Sequence, residues 1–297
     1  MKLCIGTAQF GMDYGIQRAG QPCLADALEM LDIAVQNGVY MIDTAAAYGT
    51  AEEVVGAFIQ KNKGVRNKIE LTSKLPSRML DIVPQEQQSE TIRKYLLQSL
   101  SKLNTDYLDY YLLHNPAHIN NDDIIQALRL LKSEGLVLNI GASVYTPEEA
   151  EQGIERGFDV LQIPYSVFDQ RMEEKGIIDL AFNMKVKLHS RSAFTQGLML
   201  INESEVPKQL EKAKPVVRKL AVFCEERSIS RLQLAVAFVN TQTTITHLVF
   251  GVDKKEQLFE IIETHKKVVD PDILSEAACL FSNLEEDIIM PSKWDGV

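Results

Sequence analysis

Along the chain, short apolar runs alternate with longer stretches in which apolar residues recur every three or four positions. The short runs cover 3–7, 40–43, 69–73, 107–113, 137–142, 160–164, 186–190 and 246–250. Most are apolar throughout, as strands buried on both faces are, so they predict a parallel sheet rather than a half-exposed antiparallel one. The stretches between them carry the helical period and predict helices over 24–37, 51–61, 89–103, 122–133, 147–155, 173–183, 208–240 and 254–266. Eight strand–helix units in succession predict an α/β fold of the (β/α)8 type, a TIM barrel, with 1–297 as a single domain.

Local signals sharpen several boundaries. Thr146 ahead of Pro147, Glu148 and Glu149 predicts an N-cap with proline at the first helical position and acids in the first turn. Asp122 ahead of Ile124 and Ile125 is a weaker cap of the same kind. The stretch 208–240 exceeds an ordinary helix, and Ser228-Ile229-Ser230 predicts a break there, with Ser230 capping a new helix from Arg231. Residues 272–287 predict an added C-terminal helix, followed by a tail with the only tryptophan, Trp294. No low-complexity linker or internal repeat argues for a second domain.

Composition narrows the function. With 45% hydrophobic and 24% charged residues, the 297-residue chain can bury a large core. Its net charge of -10 gives no long-range attraction to nucleic acid or to an anionic membrane, which favours a small-molecule ligand. Cys4, Cys23, Cys224 and Cys279 are scattered, with no CxxC pair and no histidine at ligand spacing, so they predict reduced thiols and no metal site. The opening apolar run is too short for a signal peptide, and no stretch reaches the length of a bilayer span, so the expected location is the cytoplasm. Nothing in the sequence sets the oligomeric state.

In such a barrel the chemistry sits at the carboxyl ends of the strands. Four residues meet that condition. Asp43 ends the second run, Tyr48 follows on its loop, Lys74 ends the third run and His114 the fourth. Singly, each has a bland reading: a helix cap, a rim aromatic, a snorkelling lysine, a hydrogen-bonded rim histidine. Together they are polar groups of complementary type converging on one small volume, which is costly without a purpose. His118, His189, His247 and His265 have no expected role beyond packing or solvent, although His118 is close enough in sequence to His114 to line the mouth.

The string Gly6-Thr7-Ala8-Gln9-Phe10-Gly11, then Asp43-Thr44-Ala45 with Tyr48-Gly49 and Glu52, then Lys74, then Leu113-His114, resembles the aldo-keto reductase superfamily in order and spacing. Leu161-Gln162-Ile163-Pro164-Tyr165-Ser166 and Gln196-Gly197-Leu198 extend the resemblance over nearly the whole chain. It implies an NAD(P)H-dependent reductase of an aldehyde or ketone, with the alcohol as product. Tyr48 would be the general acid, Lys74 would lower its pKa, Asp43 would hold Lys74, and His114 would orient the carbonyl and share in proton movement. The family binds its nicotinamide cofactor extended across the barrel mouth without a glycine-rich Rossmann turn, and this chain has no GxGxxG. The implied contacts are Thr7, Asp43, Ser143 and Gln162, then Arg191, Ser192, Phe194, Gln196 and Gly197 after the seventh strand. Gly251, Asp253, Lys254 and Gln257 would serve the adenosine end.

Three departures bear on specificity. Arg191 stands where the family usually places a tyrosine against the nicotinamide, which leaves open an anionic substrate or an altered stacking partner. Asp253 replaces a common serine and Ile261 a common asparagine, so NADP(H) is the favoured cofactor with NAD(H) as a live alternative. The family's floor-closing hairpin is expected to be missing or minimal, and a thinly covered mouth would leave substrate choice to the loops after 115 and 191 or to a neighbouring subunit. A sugar or nucleotide-sugar carbonyl is one expected substrate. Two other readings share the same residues: a cofactor-retaining sugar epimerase or lyase, and a non-catalytic cofactor-binding regulatory subunit.

Overall fold

The computed structural model of this chain describes residues 1–16 and 20–294. Eight parallel strands close into a barrel in sequence order: β1 (Lys2–Gly6), β2 (Met41–Asp43), β3 (Glu70–Leu75), β4 (Leu108–Leu113), β5 (Val137–Ser143), β6 (Val160–Pro164), β7 (Lys187–Arg191) and β8 (Ile245–Gly251). β8 pairs back onto β1, so the sheet has no free edge. Side chains alternate about the strands. Ile5, Ile42, Leu71, Leu161 and Leu188 face outward into the large core under the helices, whereas Cys4, Met41, Tyr110, Leu112 and Val160 form a separate cluster inside the barrel.

Several strands run further than their apolar stretches suggest. Lys74 pairs in register with Leu112, Ser143 with Gln162 and Arg191 with Pro164, so all three are strand residues and not loop residues. The ladder continues past the hydrophobic run because these polar side chains point into the open end of the barrel. The consequence is functional: the groups are mounted on rigid backbone.

The helices show where local chemistry was misjudged. Asn121, not Asp122, caps the helix Asp122–Ser133: its side-chain oxygen accepts from the amides of Asp123 (3.0 Å) and Ile124 (3.3 Å), leaving Asp122 in the first turn. The predicted 173–183 helix is two, Arg171–Glu174 and Ile177–Met184, because Gly176 between them sits at φ +71°. The added C-terminal helix is likewise two pieces, Pro271–Leu280 and Glu286–Ile289, with Asn283 at φ +55° and Phe281 turned wholly into the core. The break inside 208–240 lies where expected. Ser230 accepts from the Gln233 amide (3.0 Å) and Gln233 accepts from the Ser230 amide (2.8 Å), starting the helix Arg231–Asn240. Thr146 caps Pro147–Glu155 through the same reciprocal pair with Glu149. Among the described residues no helix is long and apolar enough to cross a membrane.

Candidate active site

The four chemistry-bearing residues meet at the carboxyl end of the barrel. Asp43 is the last residue of β2, and its carbonyl receives both the amide (2.9 Å) and the hydroxyl (3.1 Å) of Thr7, which pins the ends of β1 and β2 together. Thr7 is therefore a buried backbone clamp and does not stand in the cavity wall. Lys74, on β3, is fully buried. Its ammonium donates to Asp43 Oδ1 at 2.6 Å, to the Thr44 carbonyl at 3.0 Å and to the Tyr48 hydroxyl at 3.4 Å. Gln162, on β6, donates to the other Asp43 oxygen at 2.8 Å. The His114 ring stands edge-on to the Tyr48 ring, with centroids 5.6 Å apart, and its Nδ1 is enclosed without a partner.

The electrostatics follow from burial first and charge second. Desolvation acts to lower the Lys74 pKa, but Asp43 and Tyr48 together outweigh it and the net shift is upward, so the group remains an ammonium. Tyr48 differs from the expectation that Lys74 would bring its pKa down. Burial pushes the phenol up to about 12, and the opposing pull of Lys74 is the smaller effect. His114 is lowered to about 3, by burial and then by the charges of Lys74 and Arg191, so its imidazole is neutral at working pH.

Beside these groups lies a cavity of about 330 Å³, walled by Asp43, Tyr48 and Gln162 at one end and by Asp253, Gln257 and Ile261 at the other. Ser143 stands next to Gln162 in register, almost wholly buried. Of the residues after β7, Arg191, Ser192, Phe194, Gln196 and Gly197 all line the cavity. Their backbone is unusual: Ser192, Thr195, Gln196 and Gly197 all have positive φ, which folds the loop tightly over the mouth. Gly251 lines the wall with Gln9 across it, and a Cβ there would meet the Gln9 amide at 2.3 Å. At the far end the Gln257 side chain accepts from the amides of Asp253 (2.8 Å) and Lys254 (3.3 Å). Lys254 is exposed and stands outside the cavity wall.

Two aromatic residues in or behind the wall were not anticipated. Tyr14, on the loop after β1, reaches over the mouth and its hydroxyl accepts from Gln196 Nε2 at 3.1 Å. Tyr145, after β5, presents its ring to the Arg191 guanidinium, with 4.5 Å between guanidinium carbon and ring centroid. Their only sequence signal is position, an aromatic on a loop at the carboxyl end of a strand. Among the described residues no cluster of three or more His, Cys, Asp or Glu could hold a metal ion.

Known proteins resemble this chain in sequence and in fold. The sequence profile of the Aldo/keto reductase family matches residues 2–277. An uncharacterized oxidoreductase of Bacillus subtilis, YqkF, is 28% identical over 84% of this chain and 88% of its own length. The NADH-specific methylglyoxal reductase of Escherichia coli is 25% identical over 81% of each chain. The solved holo form of the aldo-keto reductase AKR11C1 from Bacillus halodurans superposes with a TM-score of 0.75 at 20% identity, covering 94% of this chain and 91% of that one, a likeness of fold. With the profile matched over most of its length and a closed eight-stranded barrel beneath it, the chain belongs to the Aldo/keto reductase family and is an NAD(P)H-dependent oxidoreductase.

Proposed function

We propose that the chain reduces an aldehyde or ketone to the alcohol, with Tyr48 as the proton donor. The observation that carries this is the Lys74 ammonium, held 2.6 Å from a carboxylate and 3.4 Å from the Tyr48 hydroxyl at the edge of the cavity. The name of the Escherichia coli relative, a methylglyoxal reductase, points to the same class of reaction.

The cavity suits an extended nicotinamide dinucleotide: it runs from Gln162 to the start of the helix Lys255–His265, with glycine at Gly6 and Gly251 in its wall. Ser143 and Gln162 would hold the carboxamide end, the loop Arg191–Gly197 the middle, and Asp253, Lys254 and Gln257 the adenosine end. When bound, a dihydronicotinamide supplies the hydride for the carbonyl carbon. The chain supplies the proton and the position. A phenol held near 12 stays protonated at neutral pH, and the alkoxide that forms on the substrate is far more basic than a phenolate, so Tyr48 gives its proton downhill. Lys74 stabilises the phenolate left behind, Asp43 keeps Lys74 charged and in place, and Gln162 holds the carboxylate's second oxygen. Neutral His114 is a hydrogen-bond donor to the carbonyl oxygen and carries no proton of its own to spend. NADP(H) is the proposed cofactor because Lys254 is an exposed cation free to meet a 2'-phosphate, while the Asp253 carboxylate in the cavity wall opposes it and keeps NAD(H) as the alternative. Fluorescence titration of the protein with each cofactor decides between them.

Tyr48→Phe tests the proton donor. Single-turnover hydride transfer should fall by roughly 100-fold or more, the scale of a lost general acid, while cofactor affinity changes little. Equal single-turnover rates for variant and parent would remove Tyr48 from the mechanism.

A further inference from the structure

Glu52 is a buried acid that the chemistry at the barrel mouth does not use. It lies in the first turn of the helix Ala51–Lys61, outside the cavity wall, and is 1% exposed. One carboxylate oxygen accepts from the Ser73 hydroxyl at 2.7 Å, the other has no partner, and among the described residues Glu52 forms no ion pair. An acid for the start of this helix is already in place, since the next residue, Glu53, is exposed and pairs with Lys102 at 2.9 Å. A carboxylate withdrawn from water with a single hydrogen bond costs stability, and an apolar side chain of the same size packs there without that cost. The fully buried Tyr111 hydroxyl, on the strand paired with Ser73, also lacks a partner; burial, and after it the Glu52 charge, raises that phenol's pKa.

The bond to Ser73 matters for where it lies. Ser73 precedes Lys74 on β3 and faces the helices, while Lys74 faces the barrel mouth. Glu52 follows Ala51, whose amide donates to the Tyr48 carbonyl at 3.0 Å. The backbone tie between the Tyr48 loop and β3 is at the start of the loop, where the Thr44 amide donates to the Thr72 carbonyl at 2.9 Å. Beyond Thr44, the hydrogen bonds from 45–56 to β3 among the described residues are two: Lys74 to the Tyr48 hydroxyl at 3.4 Å, and Ser73 to Glu52. The first is long and belongs to the reacting groups themselves, whereas the second is short and closed to water. The loop is therefore held to β3 at both ends, with Tyr48 between them.

We propose that Glu52 is a positioning residue for proton transfer: its bond to Ser73 fixes the distance between the Tyr48 hydroxyl and the Lys74 ammonium. This rests on Tyr48 as the proton donor and deepens that reading by a residue that touches neither substrate nor cofactor. Released at its far end, the loop lets Tyr48 drift from Lys74, and the phenolate left after proton transfer loses the cation that stabilises it.

The test is a set of full-chain variants compared by single-turnover hydride transfer from whichever of NADPH and NADH binds the tighter, with the cofactor dissociation constant and the urea midpoint measured for each. The carbonyl is the one of methylglyoxal, benzaldehyde and butanone that the parent reduces fastest. Glu52→Met removes the acceptor and should slow hydride transfer by about tenfold or more, with KM and cofactor affinity changed by less than about twofold. Glu52→Gln, which can still accept from Ser73, should keep most of the rate. Glu52→Met combined with Ser73→Ala replaces both partners by apolar groups, so it should unfold at or above the parent's urea midpoint while staying as slow as Glu52→Met alone. In a Tyr48→Phe background Glu52→Met should slow nothing further, because no donor is left to misplace. The parental rate in the combined variant, a Glu52→Gln as slow as Glu52→Met, or an equal loss in the Tyr48→Phe background would overturn the brace and leave Tyr48 as the donor. The parental rate in Tyr48→Phe itself, or no carbonyl reduced by the parent, would remove the donor and the brace together.

Discussion

Lys74 shows how much of the site depends on one nitrogen. An ammonium has three N–H donors. Here three acceptors surround it, a carboxylate, a carbonyl and a phenol, and no solvent reaches it. The pairing with Asp43 keeps it charged against the pull of burial, and removing either partner would strand a buried charge. Tyr48 and His114 then fix the pH behaviour. With the phenol near 12 and the imidazole near 3, neither group changes protonation between pH 6 and 9. Reduction needs the phenol protonated, so its kcat/KM should be level across that range and fall only at strongly alkaline pH. Oxidation of the alcohol needs the phenolate and should rise with pH over the same window. Initial rates in both directions on one substrate pair measure this. An inflection near 6.5 in the reductive direction, the ordinary pKa of histidine, would mean that His114 titrates and is not the neutral donor proposed.

At the scale of elements, two glycines seat the loop that carries Tyr48. The short helix Ala8–Gly11 follows β1 and packs against this loop so closely that a Cβ on Gly11 would lie 1.8 Å from the Tyr48 carbonyl oxygen. Gly49, at φ +56°, would put its own Cβ 2.1 Å from the Gly11 carbonyl. The obstructing atoms are backbone, so they cannot swing aside. Gly11→Ala should therefore shift Tyr48 away from Lys74, lowering kcat by more than about tenfold and costing about 1–3 kcal/mol of stability, as overpacking does. Turnover numbers and urea midpoints check both, and a variant with parental kcat would show that the loop's seat does not matter. These glycines were visible in the sequence as part of the family string, but the reason for them was not, because their neighbours are distant in the chain. The same division runs through the fold. Eight apolar runs and their following polar residues are local patterns, so the barrel and the convergence of Asp43, Tyr48, Lys74 and His114 could be read directly. The Asn121 cap, the break at Gly176 and the folding back at Asn283 turn on one residue's backbone geometry within a helical pattern that otherwise continues. Tyr14 and Tyr145 were missed for a third reason: what matters about them is the partner across the mouth, Gln196 for one and Arg191 for the other.

The whole barrel carries a second polar cluster beneath the apolar layer of Cys4, Met41, Leu112 and Val160. Tyr110 donates to Glu70 at 2.7 Å, and the His189 ring lies edge-on to both Tyr110 and His247, at 5.0 and 4.9 Å between centroids. His189 is completely buried and neither ring nitrogen has a hydrogen-bond partner, so packing is its role as expected, but on costly terms. Burial drives His189 well below the ordinary histidine range and His247 down to about 4, and with His114 near 3 the folded protein holds three deeply buried histidines that resist protonation, while burial lowers the less enclosed His265 as well. In the unfolded chain all three titrate near ~6.5. As pH falls below that value the unfolded state binds protons that the folded state refuses, so stability is full above about 6.5 and is lost progressively towards about 4, with each group costing about 1.4 kcal/mol per pH unit in between. Urea unfolding at pH 7, 6 and 5 should give a falling midpoint, in a window that lies above the ordinary carboxylate range and so isolates the histidines. His189→Leu removes one of the three, along with its unsatisfied nitrogens, and should flatten that fall by about 1.4 kcal/mol per pH unit without loss of stability at pH 7. A parent as stable at pH 5 as at pH 7, or a variant that tracks the parent's slope, would show that the buried imidazoles are not what makes the fold sensitive to acid.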